Sequence, residues 1–350
     1  MACCVSMHMF FVEKKNMTNS DGAIDIHAHF YPESYLRLLE KHGAAHSAGC
    51  DMSNPEGVII KAGPQLIPPL EWRFVDLDLR VEEMNDIGVG VHALSLTIPM
   101  VGFADGTFAL QLSEAYNDAC VDAHEKYPDR LVGFATLPWH EPALACQELD
   151  RIAKFKGIKG VYSATRVGER DLDHEAFFPI YERLEDYELP LFLHPVQVVD
   201  PERLAPYYLK NLLGNPFESA IAAASFIFGG VLDRFKKLNI CLPHAGGAFP
   251  YLVGRLDHGS RVRPELAHRD QHPFDYLRRF HYDTITHSKE ALAYLIRIVG
   301  ADRVMLGSDY CFDMGYEHPV EIVTAQTELE EKEKINILGG NARSLLNLSD

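Results

Sequence analysis

Residues 24–30 read Ile24-Asp25-Ile26-His27-Ala28-His29-Phe30, or IDIHAHF. The alternating apolar positions describe a buried β-strand, in which residues i and i+2 project to the same side. On that pattern His27 and His29 share one face with Asp25 behind them, while Ile24, Ile26 and Ala28 share the other. Two imidazoles side by side on a core strand call for a common partner.

Seven further β-rich runs follow, at 91–97, 131–137, 158–164, 191–196, 239–245, 280–286 and 303–309. Helical periodicity lies between and after them, near 79–87, 109–127, 142–156, 174–187, 216–236, 248–259, 288–299 and 329–346. Eight strands alternating with eight helices predict an α/β protein, a (β/α)8 TIM barrel. A doubly wound open sheet would normally carry a glycine-rich phosphate turn after its first strand, and none is present. The expected organisation is a disordered or loosely packed tail over 1–22, with Met17 as an alternative start, and one barrel domain over 23–350. Residues 31–78 separate the first two strands by far more than a normal connection. They predict an inserted lid or small β-segment over the barrel mouth.

Composition narrows the function. The 350 residues are 47% hydrophobic and 24% charged, which suits a globular protein with a sizeable core. A formal net charge of −17 argues against nucleic acid and against anionic membrane surfaces. No run approaches the roughly 20 apolar residues that span a bilayer. The apolar start lacks preceding basic residues, so it is a poor secretory signal. Seven cysteines without a CxxC pair suit a reducing, cytoplasmic setting.

The working face of such a barrel is the C-terminal end of its strands. His27 and His29 end the first run, His194 the fifth, His244 the sixth and Asp309 the eighth. An HxH pair alone is weak evidence, but these five residues from four runs meet on one face if the barrel forms. Imidazole and carboxylate suit Zn²⁺, and a catalytic site keeps one position open for water, whose pKa the ion lowers.

The segments IDIHAH, LHP, GGVLDRFKKLNICLPHAGGAFPYLVGRLDHG, LGSDY and GNARSLLNL together resemble the amidohydrolase superfamily. Within it the chain resembles the aminocarboxymuconate-semialdehyde decarboxylase-like family of metal-dependent, non-oxidative decarboxylases. The resemblance runs from about residue 23 onward. It implies that His27, His29, His194 and Asp309 hold one Zn²⁺ per subunit, with Mn²⁺ as the alternative, and that His244 acts as general base on the bound water. It implies that Arg255 binds substrate carboxylate across a homodimer interface. The fourth run carries Lys159 at its start and no lysine at its end, so the carbamylated lysine that bridges two metals elsewhere in the superfamily has no counterpart. Pro68 and Val196 stand where the muconate enzymes carry an arginine and a tryptophan, which points to a different small carboxylate substrate.

Other residues near the strand ends have readings of their own. Arg166 is a candidate carboxylate binder or a solvated loop charge. Phe312 and Tyr310 flank Asp309 and could pack on a planar substrate or simply fill core. Cys311 is assigned to packing and His287 either to substrate contact or, as the favoured reading, to support of the site, while Asp25 is placed to orient a ligand histidine or to serve structure. The expected reaction is decarboxylation of a small carboxylated aromatic or muconate-semialdehyde-type acid. The alternative is metal-dependent hydrolysis of an amide, lactone or ring-cleavage product at the same site.

Overall fold

The computed structural model describes residues 22–63, 65–266 and 272–348, so the expected N-terminal tail lies outside the described residues apart from Gly22. Eight strands form one sheet in chain order: Ala23–His29, Val89–Ser95, Leu131–Thr136, Ile158–Ala164, Leu191–His194, Ile240–Leu242, Phe280–Asp283 and Val304–Met305. Each pairs in parallel with the next. The last strand returns to the first: Ile26 N–H donates to the Leu306 carbonyl at 3.0 Å and His29 N–H to the Tyr310 carbonyl at 2.7 Å. The fold is the expected (β/α)8 barrel.

The helices form where the periodicity placed them, and side-chain caps set several of their starts. Asp76 accepts from the N–H groups of Asp78 and Leu79 ahead of helix Leu77–Ile87. Asp105 caps helix Gly106–Lys126, and Ser288 caps helix Lys289–Val299. Each supplies an oxygen to an N–H that the first helical turn leaves unpaired. Pro142, Pro216 and Pro250 occupy the first turns of three others, where a missing N–H costs nothing. The segment expected as one helix over 329–346 is instead Glu331–Ile335, a π-helical turn Asn336–Gly340 and Asn341–Leu345. Within that turn the Ile337 carbonyl accepts from Leu306 N–H at 2.9 Å, tying the helix to the eighth strand.

Strict alternation fails in the first strand. Its register shifts between Asp25 and Ala28. Ile24 and Ile26 pack with Phe134, Tyr162 and Phe192, whereas Asp25 turns towards His92, 3.6 Å away. After the shift His27 and His29 pack edge-on against His194. Asp25 is therefore not on the face of the two histidines, which corrects the simple i, i+2 reading.

The insertion holds helix Glu33–His42 and an antiparallel sheet of Ala48–Asp51, Val58–Ala62 and Gln65–Leu70. His46, Ala62 and Gly63 from it line a cavity of about 310 Å³ together with Trp139, Arg166 and Val196. Among the described residues no helix is long and apolar enough to cross a membrane.

Candidate metal centre

The barrel brings together side chains from four strand ends. One ligand-type atom from each of His27, His194, His244 and Asp309 lies within 4.8 Å of all the others. His29 joins them, with Nε2 at 2.8 Å from Asp309 Oδ1 and its ring 5.0 Å from those of both His27 and His194. His27, His29, His194 and Asp309 are buried, and His244 is half-buried.

Neighbouring groups fix which nitrogen of each imidazole faces the centre. His27 Nδ1 is 2.8 Å from Asp283 Oδ2, so it carries the proton and donates to the carboxylate. His27 Nε2 is then a bare lone pair, buried and without a hydrogen-bond partner, 3.5 Å from Asp309 Oδ1. His194 Nδ1 donates to the Pro195 carbonyl at 2.9 Å. His29 Nδ1 lies 3.1 Å from Ser95 Oγ, whose hydroxyl donates to the Ala28 carbonyl. With Nδ1 protonated in all three rings, three Nε2 lone pairs point at a carboxylate. That arrangement is repulsive unless a cation sits among them. Donor type, burial and tautomers therefore fit a divalent metal ion.

The electrostatics agree. Burial pushes the His29 pKa down to about 4 and that of His194 well below the usual imidazole value, so both rings are neutral near pH 7, as metal binding through nitrogen requires. At His27 burial is overcome by Asp283, Asp309 and Asp25, and the pKa rises. These carboxylates draw positive charge to the atom that lacks a partner.

Asp283, at the end of the seventh strand, was not among the residues singled out from sequence. Its Oδ2 accepts from His27 Nδ1–H and from His244 N–H at 2.9 Å, and its Oδ1 from Ala245 N–H at 2.7 Å and Ile285 N–H at 3.1 Å. It thus orients the His27 ring and fixes the backbone that carries His244. The only signal for it was an aspartate closing the FHYD run. Asp25 does not touch a ligand ring. It accepts from His27 N–H at 2.9 Å and from Ser308 N–H and Oγ–H, joining the first strand to the eighth.

His244 and Asp309 open onto a cavity of about 440 Å³ that His287 and Thr286 also line. The Phe312 ring lies 5.3 Å from that of His29 and 4.9 Å from that of Phe74. Arg166 stands at the other cavity, ion-paired to Glu169 at 3.2 Å and Asp171 at 3.7 Å. Arg255 is exposed on helix Phe249–Val262, outside the centre of its own chain. Tyr310 packs beneath the buried Arg80 guanidinium, 4.6 Å from its ring, and Cys311 is buried with its thiol pushed up to about 12 by burial.

A family model described as amidohydrolase matches residues 24–348. A 2-amino-3-carboxymuconate-6-semialdehyde decarboxylase of Dictyostelium discoideum is 33% identical over 328 residues, covering 93% of this chain and 91% of that protein. The crystal structure of Metarhizium anisopliae IDCase in apo form matches with a TM-score of 0.85 and 25% identity, over 96% of this chain and 100% of that one. A dihydroxybenzoic acid decarboxylase from Polaromonas, solved with manganese and 2-nitroresorcinol, matches with a TM-score of 0.77 and 25% identity, over 93% and 97% of the two chains.

Proposed function

The chain belongs to the amidohydrolase family and is a carboxy-lyase within it, and we propose that it removes CO2 from a small planar aromatic or muconate-type acid at a single metal ion. The observation that carries this reading is the buried, unpartnered Nε2 of His27, grouped with His194, His244 and Asp309 at the floor of an open cavity.

His27, His29, His194 and Asp309 are the proposed ligands, with Zn²⁺ favoured by three imidazoles and one carboxylate and Mn²⁺ the alternative. Bound there, the ion supplies Lewis-acid charge for a substrate oxygen and acidifies its water. His244 is the proposed general base, and its backbone N–H, fixed on Asp283, holds the ring beside Asp309 at 3.8 Å. When the bond between a substrate carbon and its carboxylate breaks, CO2 leaves, the electron pair stays on that substrate carbon, and the carbanion so formed needs a proton. A half-buried imidazole at the cavity wall is suited to take one proton and return it.

Arg255 is proposed to hold a substrate carboxylate in the neighbouring subunit of a homodimer. An exposed apolar face supports this. Tyr251, 81% exposed, precedes Arg255 by about one turn, and Leu213, Phe217 and Val262 are also exposed on the same and the adjoining helix. Phe312 is proposed as a wall on the His29 side and Arg166 as a binder of the distal end of a longer substrate, with the insertion closing over that end. The five described cysteines are all free, which suits the cytoplasm.

The test is CO2 release by metal-loaded protein from aminocarboxymuconate semialdehyde, 2,6-dihydroxybenzoate and 6-methylsalicylate, with loss of turnover on chelation. Hydrolysis of an ester or amide panel without CO2 from any acid would overturn the reading in favour of the hydrolytic alternative.

A further inference from the structure

Of the eleven non-glycine residues with positive φ among the described residues, four line the cavity above the metal centre: His244, Ala245, His287 and Asp309. His244 and Asp309 have φ of 52° and 61°, and His287 has 53°. Such backbone is costly for these residue types and persists where the surroundings impose it. His287 therefore shares the backbone device of the proposed base and the proposed ligand. Each lies in the loop that follows a barrel strand and lines the cavity.

The surroundings that impose it are specific. Asp283 Oδ1 accepts from Ile285 N–H, which starts the turn. His287 N–H donates to Tyr316 Oη at 2.6 Å, and Tyr316 N–H in turn donates to the Ser308 carbonyl at 2.8 Å, one residue before Asp309. The His287 ring rests against that of Tyr316, with centroids 5.0 Å apart and planes at 41°. The ring thus packs at a tilt on Tyr316 while lining the cavity. No hydrogen bond joins either ring nitrogen to another described residue. Ile285, Pro250 and Leu295 give the same cavity apolar walls suited to a ring.

We infer that His287 is a substrate-contacting residue that hydrogen-bonds the second oxygen-bearing group of the acid, a hydroxyl, carbonyl or further carboxylate. The inference rests on the decarboxylase reading of this cavity and narrows its substrates to acids that carry such a group. An apolar ring between Ile285 and Leu295 then has its reacting carboxylate at His244 and Asp309 and its second oxygen at His287.

The experiment compares wild type, His287→Phe and His287→Gln on the acid that wild type decarboxylates and on its analogue lacking the second oxygen. His287→Phe keeps a planar ring and removes both nitrogens. KM for the oxygenated acid is expected to rise at least tenfold in His287→Phe and to recover in part in His287→Gln. KM for the deoxy analogue is expected to change less than threefold, with metal content equal to wild type throughout. Equal KM changes for the two acids, or none, would overturn the inference while leaving the decarboxylase reading intact. Absence of CO2 release by wild type from every acid would remove both.

Discussion

His27 and Asp283 are 256 residues apart in the chain and 2.8 Å apart in the folded protein, an imidazole N–H on a carboxylate oxygen. The same carboxylate carries the backbone of His244, so one side chain from the seventh strand positions residues of the first and sixth.

Asp283→Asn tests that joint role. Each Asp283 oxygen accepts from two N–H groups. An amide in its place sets an NH2 against two donors whichever way it is turned. The expected result is metal affinity about 10–100-fold weaker, as for other groups that orient metal ligands. Competition with a chromogenic chelator measures it, and affinity equal to wild type would show that His27 needs no support from this carboxylate.

His194→Ala and Asp309→Ala remove proposed ligands directly. Either is expected to leave purified protein with a small fraction of the wild-type metal and to abolish decarboxylation. Elemental analysis after dialysis decides the matter, since full occupancy in either variant contradicts the assignment. His244→Ala is expected to keep its metal while losing turnover, which separates a base from a ligand.

The parts of this site that sequence exposed are those whose signal is local. IDIHAHF, LFLHP, ICLPHA and VMLGSD each place a polar residue at the end of an apolar run, and the barrel converts those ends into one locus. Asp283 stayed hidden because three of its four partners are backbone N–H groups, which leave no mark in a sequence. The turn of Asp25 away from the histidines was hidden for a related reason. A register shift inside one strand depends on its neighbours, whereas alternation counts only its own residues.

Away from the metal, Asn117 joins helix Gly106–Lys126 to the third strand. It is fully buried, its Oδ1 accepts from Thr136 N–H at 2.9 Å, and its Nδ2 donates to the Thr136 carbonyl at 3.0 Å and to Glu148 Oε1 at 2.6 Å. Asn117→Ala leaves a buried strand N–H and carbonyl unpaired, an expected cost of about 3 kcal/mol. Urea unfolding reads it. The metal content of the folded fraction should be unchanged, because none of these groups lines the cavity that holds His244 and Asp309.

The proposed homodimer carries the last prediction. Arg255 is exposed on its own chain and lies outside the cavity that holds His244. If it serves a neighbouring site, His244→Ala and Arg255→Ala should each be inactive alone yet complement each other. A mixed dimer has one site with both lesions and one with neither, so random exchange of equal amounts makes half the dimers mixed and restores about a quarter of wild-type activity. Subunit exchange must be confirmed separately, for example by mass spectrometry of differently tagged chains. Confirmed exchange without recovered CO2 release would argue against a site shared between subunits and leave the exposed Tyr251 face without a catalytic reason to be covered.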